Sequence, residues 1–423
     1  MMRAVSFNLT IPRYLLGRAL GRVSDDVFFG RPSGVRLAET RCPDLPGTEW
    51  AELEVISCGV CGTDVGNLTY QASPVLEPFA SFPAVLGHEV LARVVRTGSS
   101  VTRVAVGQRV VVDPLLSCAV RGYPAIDHCP SCLDGLPATC ARSGDAGKIR
   151  VGDRPMAPGI TIGYHRDLPG GWSSRMIVHE RQLHPVPDGL TDHQAVLVEP
   201  LSVSVHAVLR ARPAPEEPVL VIGSGPIALA AVWALRALGH RGPVVSQAKR
   251  ANERDLALRL GADVVVAPGV EAREALLKTG AKAYRPLASP EVYAGGAYPV
   301  IIDCVGSRAS MDQSLRYAAP RGRVVMLGCA AMVSRLDCTL LWAREIAVQG
   351  FVGYGQEQWE GTSLHTFEIA LRLLEATDAP VADMVTHTYP LERYRTALAA
   401  ARHRGKSGAV KVLLTPSANR PTP

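Results

Sequence analysis

The hexapeptide Gly223-Ser224-Gly225-Pro226-Ile227-Ala228 follows an apolar run, Val219–Ile222, and opens a helical pattern, Ala228–Leu238. Gly223 permits a tight turn at this junction. Gly225 lets a pyrophosphate approach the main chain, and the small Ala228 lets helix and strand pack closely. Alone, G-x-G-x-x-A also fits a simple glycine-rich turn, but its strand–turn–helix setting points to dinucleotide binding by residues 223 and 225–228. Further β-branched runs occur at Pro243–Ser246, Asp263–Ala267, Val300–Cys304, Arg323–Leu327 and Ile346–Phe351. Helix-length spacers such as Glu253–Leu260 lie between several of them. The pattern predicts an α/β fold with a doubly wound parallel sheet covered on both faces. The long spacer Pro268–Pro299 should hold a helix, Glu271–Lys278, and a loop.

The first half lacks that alternation. Its runs Glu52–Ile56, Val90–Thr97, Gln108–Val112 and Arg175–His179 are separated by Gly, Pro and Asp turns. This favours a mostly antiparallel, barrel-like domain. A helix at Phe367–Ala376 and a last strand at Ala409–Leu414 close the chain. Two domains are expected, with the ligand at their seam.

Across 423 residues, 45 Lys and Arg against 39 Asp and Glu leave a net +6 without a dense basic run. That argues against a nucleic-acid partner and suits a small anionic ligand better. Hydrophobic residues at 47% and charged residues at 20% exclude disordered and fibrous classes. Pro12 and scattered polar residues interrupt Met1–Arg22, which does not read as a secretory signal. The uncharged stretch Val219–Leu235 is broken by its Gly-Ser-Gly-Pro cluster, so no membrane partner is expected and a cytoplasmic enzyme is the reading.

Four of ten cysteines, Cys118, Cys129, Cys132 and Cys140, fall within 23 residues. Thiolates at a C-x2-C-x7-C spacing can close a tetrahedral structural zinc site, with His128 as a rival fourth ligand. After the second strand the chain reads Val245-Ser246-Gln247-Ala248-Lys249-Arg250. Ala248 stands where an NAD enzyme carries an acid for the ribose, and Lys249 and Arg250 could hold a 2′-phosphate. NADP(H) is therefore expected over NAD(H); the plainer alternative is two solvated cations opening a surface helix. Cys61, His88 with Glu89, and Glu199 offer a thiolate, an imidazole and carboxylates suited to a catalytic zinc with an open position. A single His or Glu is more often structural, so these residues alone leave both readings open.

Cys58-Gly-Val-Cys-Gly-Thr-Asp64, Gly87-His88-Glu89, the four-cysteine lobe, Glu199-Pro-Leu201 and Gly223–Ala228 occur in the order of the zinc-dependent medium-chain alcohol dehydrogenases. The chain resembles that family from about Cys58 to its C-terminus, and Glu199-Pro200-Leu201 is most similar to the polyol, glucose and threonine dehydrogenase branch. The resemblance implies a GroES-like catalytic domain over residues 1–205 and 351–423, with a zinc lobe at about 113–145. It implies an NADP-binding Rossmann domain over residues 206–350, an active site in the cleft, and two Zn2+ per chain. Cys61 and His88 would ligate the catalytic zinc, and Glu89 would be a ligand or stand behind one. Glu199 would fill the remaining position directly or through water. Thr63 would accept the alcohol proton, and Asp64 would orient His88; local turn hydrogen bonds are the alternative for both. A homodimer or homotetramer is implied, joined through the Rossmann sheet edge near Arg323–Ala330.

Three departures stand out. Gly66 occupies the position of the relay histidine found in many relatives, so the proton must leave by the cofactor ribose, water or another side chain. The Cys118–Cys129 spacing is about eight residues longer than in the family. Residues to about Gly30 match the family poorly. The expected activity is interconversion of an alcohol, most simply a hydroxylated small molecule, and its carbonyl; Tyr70, Phe79 and Phe82 could instead line an apolar pocket. The alternatives are a biosynthetic NADPH-dependent reductase of a larger carbonyl or imine, and a non-catalytic cofactor-binding sensor.

Overall fold

The computed structural model describes residues 1–21, 23–328 and 332–416, which form two compact units. The first comprises Met1–Glu199, Tyr354–Glu375 and the stretch from Val385; the second comprises Pro200–Gly353 and Ala376–Met384. The boundary thus falls at 199/200 rather than 205/206. Ala376–Met384 belongs to the second unit because Val381 and Met384 are fully buried there and Asp383 pairs with Arg259.

The first unit is a seven-stranded sheet built around Trp50–Gly59. That strand pairs antiparallel with Glu89–Thr97, Arg175–His179 and Lys411–Thr415. Arg109–Val112 and Leu183–Pro185 extend one side, and Val385–Pro390 lies parallel to Lys411–Thr415 on the other. Alternating residues such as Leu53, Val55, Val90, Val94, Val110 and Val412 turn inward to one core. The N-terminal segment belongs to this core. Met2–Phe7 pairs in full register with Val35–Thr40, burying Val5 and Phe7, and a helix at Ile11–Leu20, capped by Thr10, fills part of the connection.

The second unit is a six-stranded, all-parallel sheet in the order Val264–Val266, Val244–Gln247, Val219–Ile222, Tyr298–Asp303, Ala318–Met326, Ala347–Gly350. This is the doubly wound Rossmann order. The helix Pro226–Ala237 is buried from Ala228 to Leu235, which its run of small and apolar residues allows. The spacer after Pro268 holds the expected helix, here Val270–Lys278, plus an unforeseen hairpin of Lys282–Tyr284 with Val292–Ala294. Ala318–Met326 is paired on both sides, so the edge strand is Ala347–Gly350 and not the stretch near Arg323; residues 329 and 330 of that expected edge lie outside the described residues. Among the described residues, no helix is long and apolar enough to cross a membrane.

One buried histidine gives the first unit a pH signature. His165 places Nε2 2.9 Å from the Ala157 carbonyl, while Nδ1 accepts the N–H groups of Asp167 and Leu168. Both ring positions serve the neutral form, and burial pushes its pKa down from 6.5 to about 4. The unfolded chain therefore takes up this proton first as the pH falls from 6.5 toward 4, and stability drops across that window by up to about 3 kcal/mol. Urea unfolding of wild type and His165→Asn should show a shallower slope for the variant between pH 7 and 5; equal slopes would contradict the assignment.

Candidate metal centre and nucleotide-binding turn

Donor atoms of Cys61, His88 and Glu89 all lie within 4.8 Å of one another. Cys61 precedes the helix Gly62–Leu68, and His88 directly precedes the strand that Glu89 begins. Glu89 stands opposite Gly59 in the sheet register, and any side chain at 59 would overlap its carboxylate. The glycine of Cys58-Gly-Val-Cys61 thereby makes room for an acid rather than merely turning the chain.

Glu89 is buried, and both its oxygens accept from Lys411 Nζ, at 2.7 and 2.6 Å. Burial works against the lysine charge, but the Glu89 carboxylate outweighs it and holds Lys411 above its ordinary value. Glu199 lies outside the Cys61–His88–Glu89 group; its Oε1 accepts from the buried Tyr354 hydroxyl at 3.0 Å. Burial raises the Glu199 carboxyl to about 7, against the pull of a charged His88. At His88 itself burial disfavours charge, yet Asp64 and Cys61 prevail and push the imidazole well above its usual value. Such a concentration of buried anionic groups suits a cation, and the thiol–imidazole–carboxylate donor set suits zinc.

Asp64 faces His88, as expected, and also makes the local turn hydrogen bond considered as its alternative. Its Oδ1 is 3.6 Å from His88 Nδ1, an ion-pair separation rather than a hydrogen bond. Its hydrogen bonds come instead from the Tyr164 hydroxyl and the Cys61 N–H, the latter at 2.9 Å. The carboxylate thus fixes the loop that presents Cys61. Thr63 is exposed, its hydroxyl 3.6 Å from the Cys61 sulfur.

Donor atoms of Cys118, Cys129, Cys132 and Cys140 also gather within 4.8 Å. Sulfurs about 2.3 Å from one tetrahedral ion stand about 3.8 Å apart. The Cys118–Cys140 and Cys129–Cys140 separations are 3.7 and 3.8 Å, so the lobe fits zinc. The N–H groups of Cys118 and Cys129 donate to the sulfurs of Cys132 and Cys118. The longer spacing after Cys118 folds back on itself, with Tyr123 N–H donating to the Cys118 carbonyl. His128 faces the Tyr123 carbonyl at 3.1 Å and stands outside the four-sulfur group.

In the second unit, Gly223 has φ +125°, where a β-carbon would press on Val305 and Ala228. Gly225 caps the helix that Pro226, Ile227 and Ala228 begin. Ala248 is fully buried and Lys249 is exposed. Arg250 is not a free cation: its guanidinium lies 2.5 Å from the buried Glu253, whose other oxygen accepts from the Ser224 hydroxyl of the glycine turn.

Comparison with known proteins places the chain in a family. Residues 47–188 match the alcohol dehydrogenase GroES-like domain, and residues 226–368 match the zinc-binding dehydrogenase family. The L-galactonate-5-dehydrogenase of Escherichia coli (strain K12) is 31% identical over 329 residues, 75% of this chain and 82% of that one. The chain belongs to the zinc-dependent medium-chain alcohol dehydrogenases. An alcohol dehydrogenase from Escherichia coli CFT073, solved with NADH, shares the fold at TM-score 0.71 and 20% identity, covering 98% of this chain and 99% of that one. A zinc-binding dehydrogenase from Sinorhizobium meliloti 1021, bound to NADP, does so at TM-score 0.66 and 24% identity, with coverage of 98% and 99%.

For this alcohol dehydrogenase, Lys411, Tyr164 and Tyr354 are the site residues that sequence reasoning missed. Each meets its partner across 322, 100 and 155 residues of chain, and no local motif marks any of them. The aromatic residues considered as a pocket lining are partly committed elsewhere. The Tyr70 hydroxyl donates to the Ser33 carbonyl at 3.1 Å, and Phe82 packs edge-on against Phe7; Phe79 is 37% exposed.

Proposed function

We propose that this dehydrogenase interconverts a hydroxylated small molecule and its carbonyl with NADP(H), using one catalytic and one structural zinc per chain. The observation that carries the catalytic assignment is the convergence of Cys61, His88 and Glu89 in a partly buried, anionic pocket. Cys61 and His88 would hold the ion, Glu89 would supply a third donor while Lys411 steadies it, and Glu199, under the Tyr354 hydroxyl, would act through water. Bound there, zinc supplies Lewis acidity that lowers an alcohol's pKa or polarises a carbonyl. Thr63, exposed beside Cys61, takes the alcohol proton. With Gly66 at the position of the relay histidine, no imidazole stands there to carry a proton on, so the Thr63 hydroxyl would release its own proton to water. Asp64 and Tyr164 hold the Cys61 loop in place, while the glycine turn binds the cofactor pyrophosphate. L-Galactonate carries several hydroxyls, so the relative that acts on it supports a polyhydroxylated substrate. The partner is this small molecule, not nucleic acid or a membrane, and the enzyme works in the cytoplasm. It assembles as a homodimer or homotetramer; the exposed edge strand Ala347–Gly350 supports a sheet-edge contact.

The cofactor choice rests on Ala248 in place of an acid, with Lys249 exposed and Arg250 anchored by Glu253. NADPH should bind at least about 10-fold tighter than NADH at physiological salt, and Lys249→Ala should weaken NADPH alone by about 10-fold, the size of one charge-assisted hydrogen bond. Fluorescence titration of both nucleotides on both proteins checks this, and equal affinities in wild type would contradict it. The exposed Lys249 favours a second reading, a biosynthetic reductase drawing on NADPH. Rates in both directions over polyols, sugar acids and their ketones separate the two: oxidation dominates in the first, reduction in the second.

A further inference from the structure

A third set of metal-type donors lies in the barrel unit, apart from both proposed zinc sites. Donor atoms of Asp113, His184 and His365 are within 4.8 Å of one another, and all three residues are buried. Asp113 follows the strand Arg109–Val112, and His184 lies on the neighbouring strand opposite Val111. His365 ends a hairpin, Gln356–Trp359 with Thr362–His365, just before the helix Thr366–Ala376. The three therefore join the barrel edge to the returning C-terminal segment.

Their bonding leaves donors unused. Asp113 Oδ1 accepts the Leu115 N–H at 2.8 Å, while Oδ2 faces His365 Nε2 at 3.3 Å. His184 is 2% exposed, yet neither of its ring nitrogens has a hydrogen-bond partner, and the same holds for His365 Nε2. A neutral imidazole always carries one N–H, and proteins seldom bury that donor unpaired. Glu368 Oε1 stands 3.7 Å from His184 Nδ1, placed to accept from it once Nε2 is engaged, as a carboxylate does behind a metal-bound histidine.

We infer that Asp113, His184 and His365 form a third cation site, structural in role and selective for zinc or a similar divalent ion. Two imidazoles and one carboxylate without thiolate match the nitrogen and oxygen donors that such ions accept. Ligation through Nε2 puts the His365 proton on Nδ1, which now accepts the Phe367 N–H at 3.2 Å. That contact must open when metal enters, and the helix start must adjust. The ion would also steady Tyr354, whose ring meets those of His365 and Phe367.

Metal content and hydrogen exchange on the intact protein test this. Wild type purified with zinc should hold one more zinc per chain than His184→Phe, and that difference should persist in a Cys61→Ala background. Identical zinc contents with and without His184 would overturn the proposal. Should His184→Phe fail to fold, Co2+ titration of wild type decides instead. A cobalt equivalent whose visible bands lack thiolate charge transfer, accompanied by faster exchange of the Phe367 amide, supports the site. Cobalt confined to thiolate-type sites overturns it. Because the readout is His184-dependent metal, it stands or falls separately from the role assigned to Cys61.

Discussion

Replacing Lys411 with methionine should destabilise the barrel unit by about 3–5 kcal/mol, the usual cost of stripping one partner from a buried ion pair. Lys411 and Glu89 have side chains only 2% exposed and meet at 2.6 Å, so the loss leaves a carboxylate in the core with no cation of its own. Glu89 would then draw more heavily on a metal at the Cys61 site. Zinc should therefore rescue part of the loss, and chelation should reveal it in full. Adding Glu89→Met to Lys411→Met removes the unpaired charge and should recover most of the stability, since replacing both members of a buried pair by apolar side chains is often nearly neutral. Urea unfolding of wild type, both single variants and the double variant completes the cycle. A cost below about 1 kcal/mol for Lys411→Met would mean that the pair contributes no more than a surface salt bridge.

That ion pair also marks what a linear reading can see. The inner parallel strands were legible because strands buried on both faces read as unbroken apolar runs such as Val219–Ile222. The four-cysteine lobe was legible because its ligands are local in sequence, and even its unusual spacing returned Cys118 to the cluster. The strand Met2–Phe7 was not, since its partner Val35–Thr40 lies beyond a helix and two short turns, and neither strand alternates cleanly enough to stand out. The residues that brace the Cys61–His88–Glu89 group and its neighbours were hidden for a simpler reason. Tyr164, Tyr354 and Lys411 are single side chains delivered by separate segments, and their importance exists only once the sheet brings those segments together. Asp64 illustrates a partial reading: its place in the motif suggested a histidine partner, which it faces at ion-pair distance, but its hydrogen bonds come from the Cys61 N–H and from Tyr164, which no local pattern announces.

The second large effect concerns chemistry. Cys61→Ala should reduce turnover by at least about 10³-fold, because polarisation by a bound metal is worth several kcal/mol of transition-state stabilisation and each 1.4 kcal/mol is tenfold in rate. The fold should survive. Cys61 sits at a helix start with its sulfur only partly buried, and the Asp64 bond to its backbone N–H does not depend on the side chain. Nucleotide binding resides in the second unit and should be unchanged, so NADPH titration separates loss of chemistry from loss of structure.

Zinc quantification on purified wild type and Cys61→Ala, with NADPH affinity measured on each, bears on the catalytic centre most directly. A deficit of one zinc per chain in the variant, at unchanged NADPH affinity and with turnover lost, is the predicted result. Equal zinc contents in the two proteins would contradict it, and with it the assignment of Cys61, His88 and Glu89 to a catalytic ion.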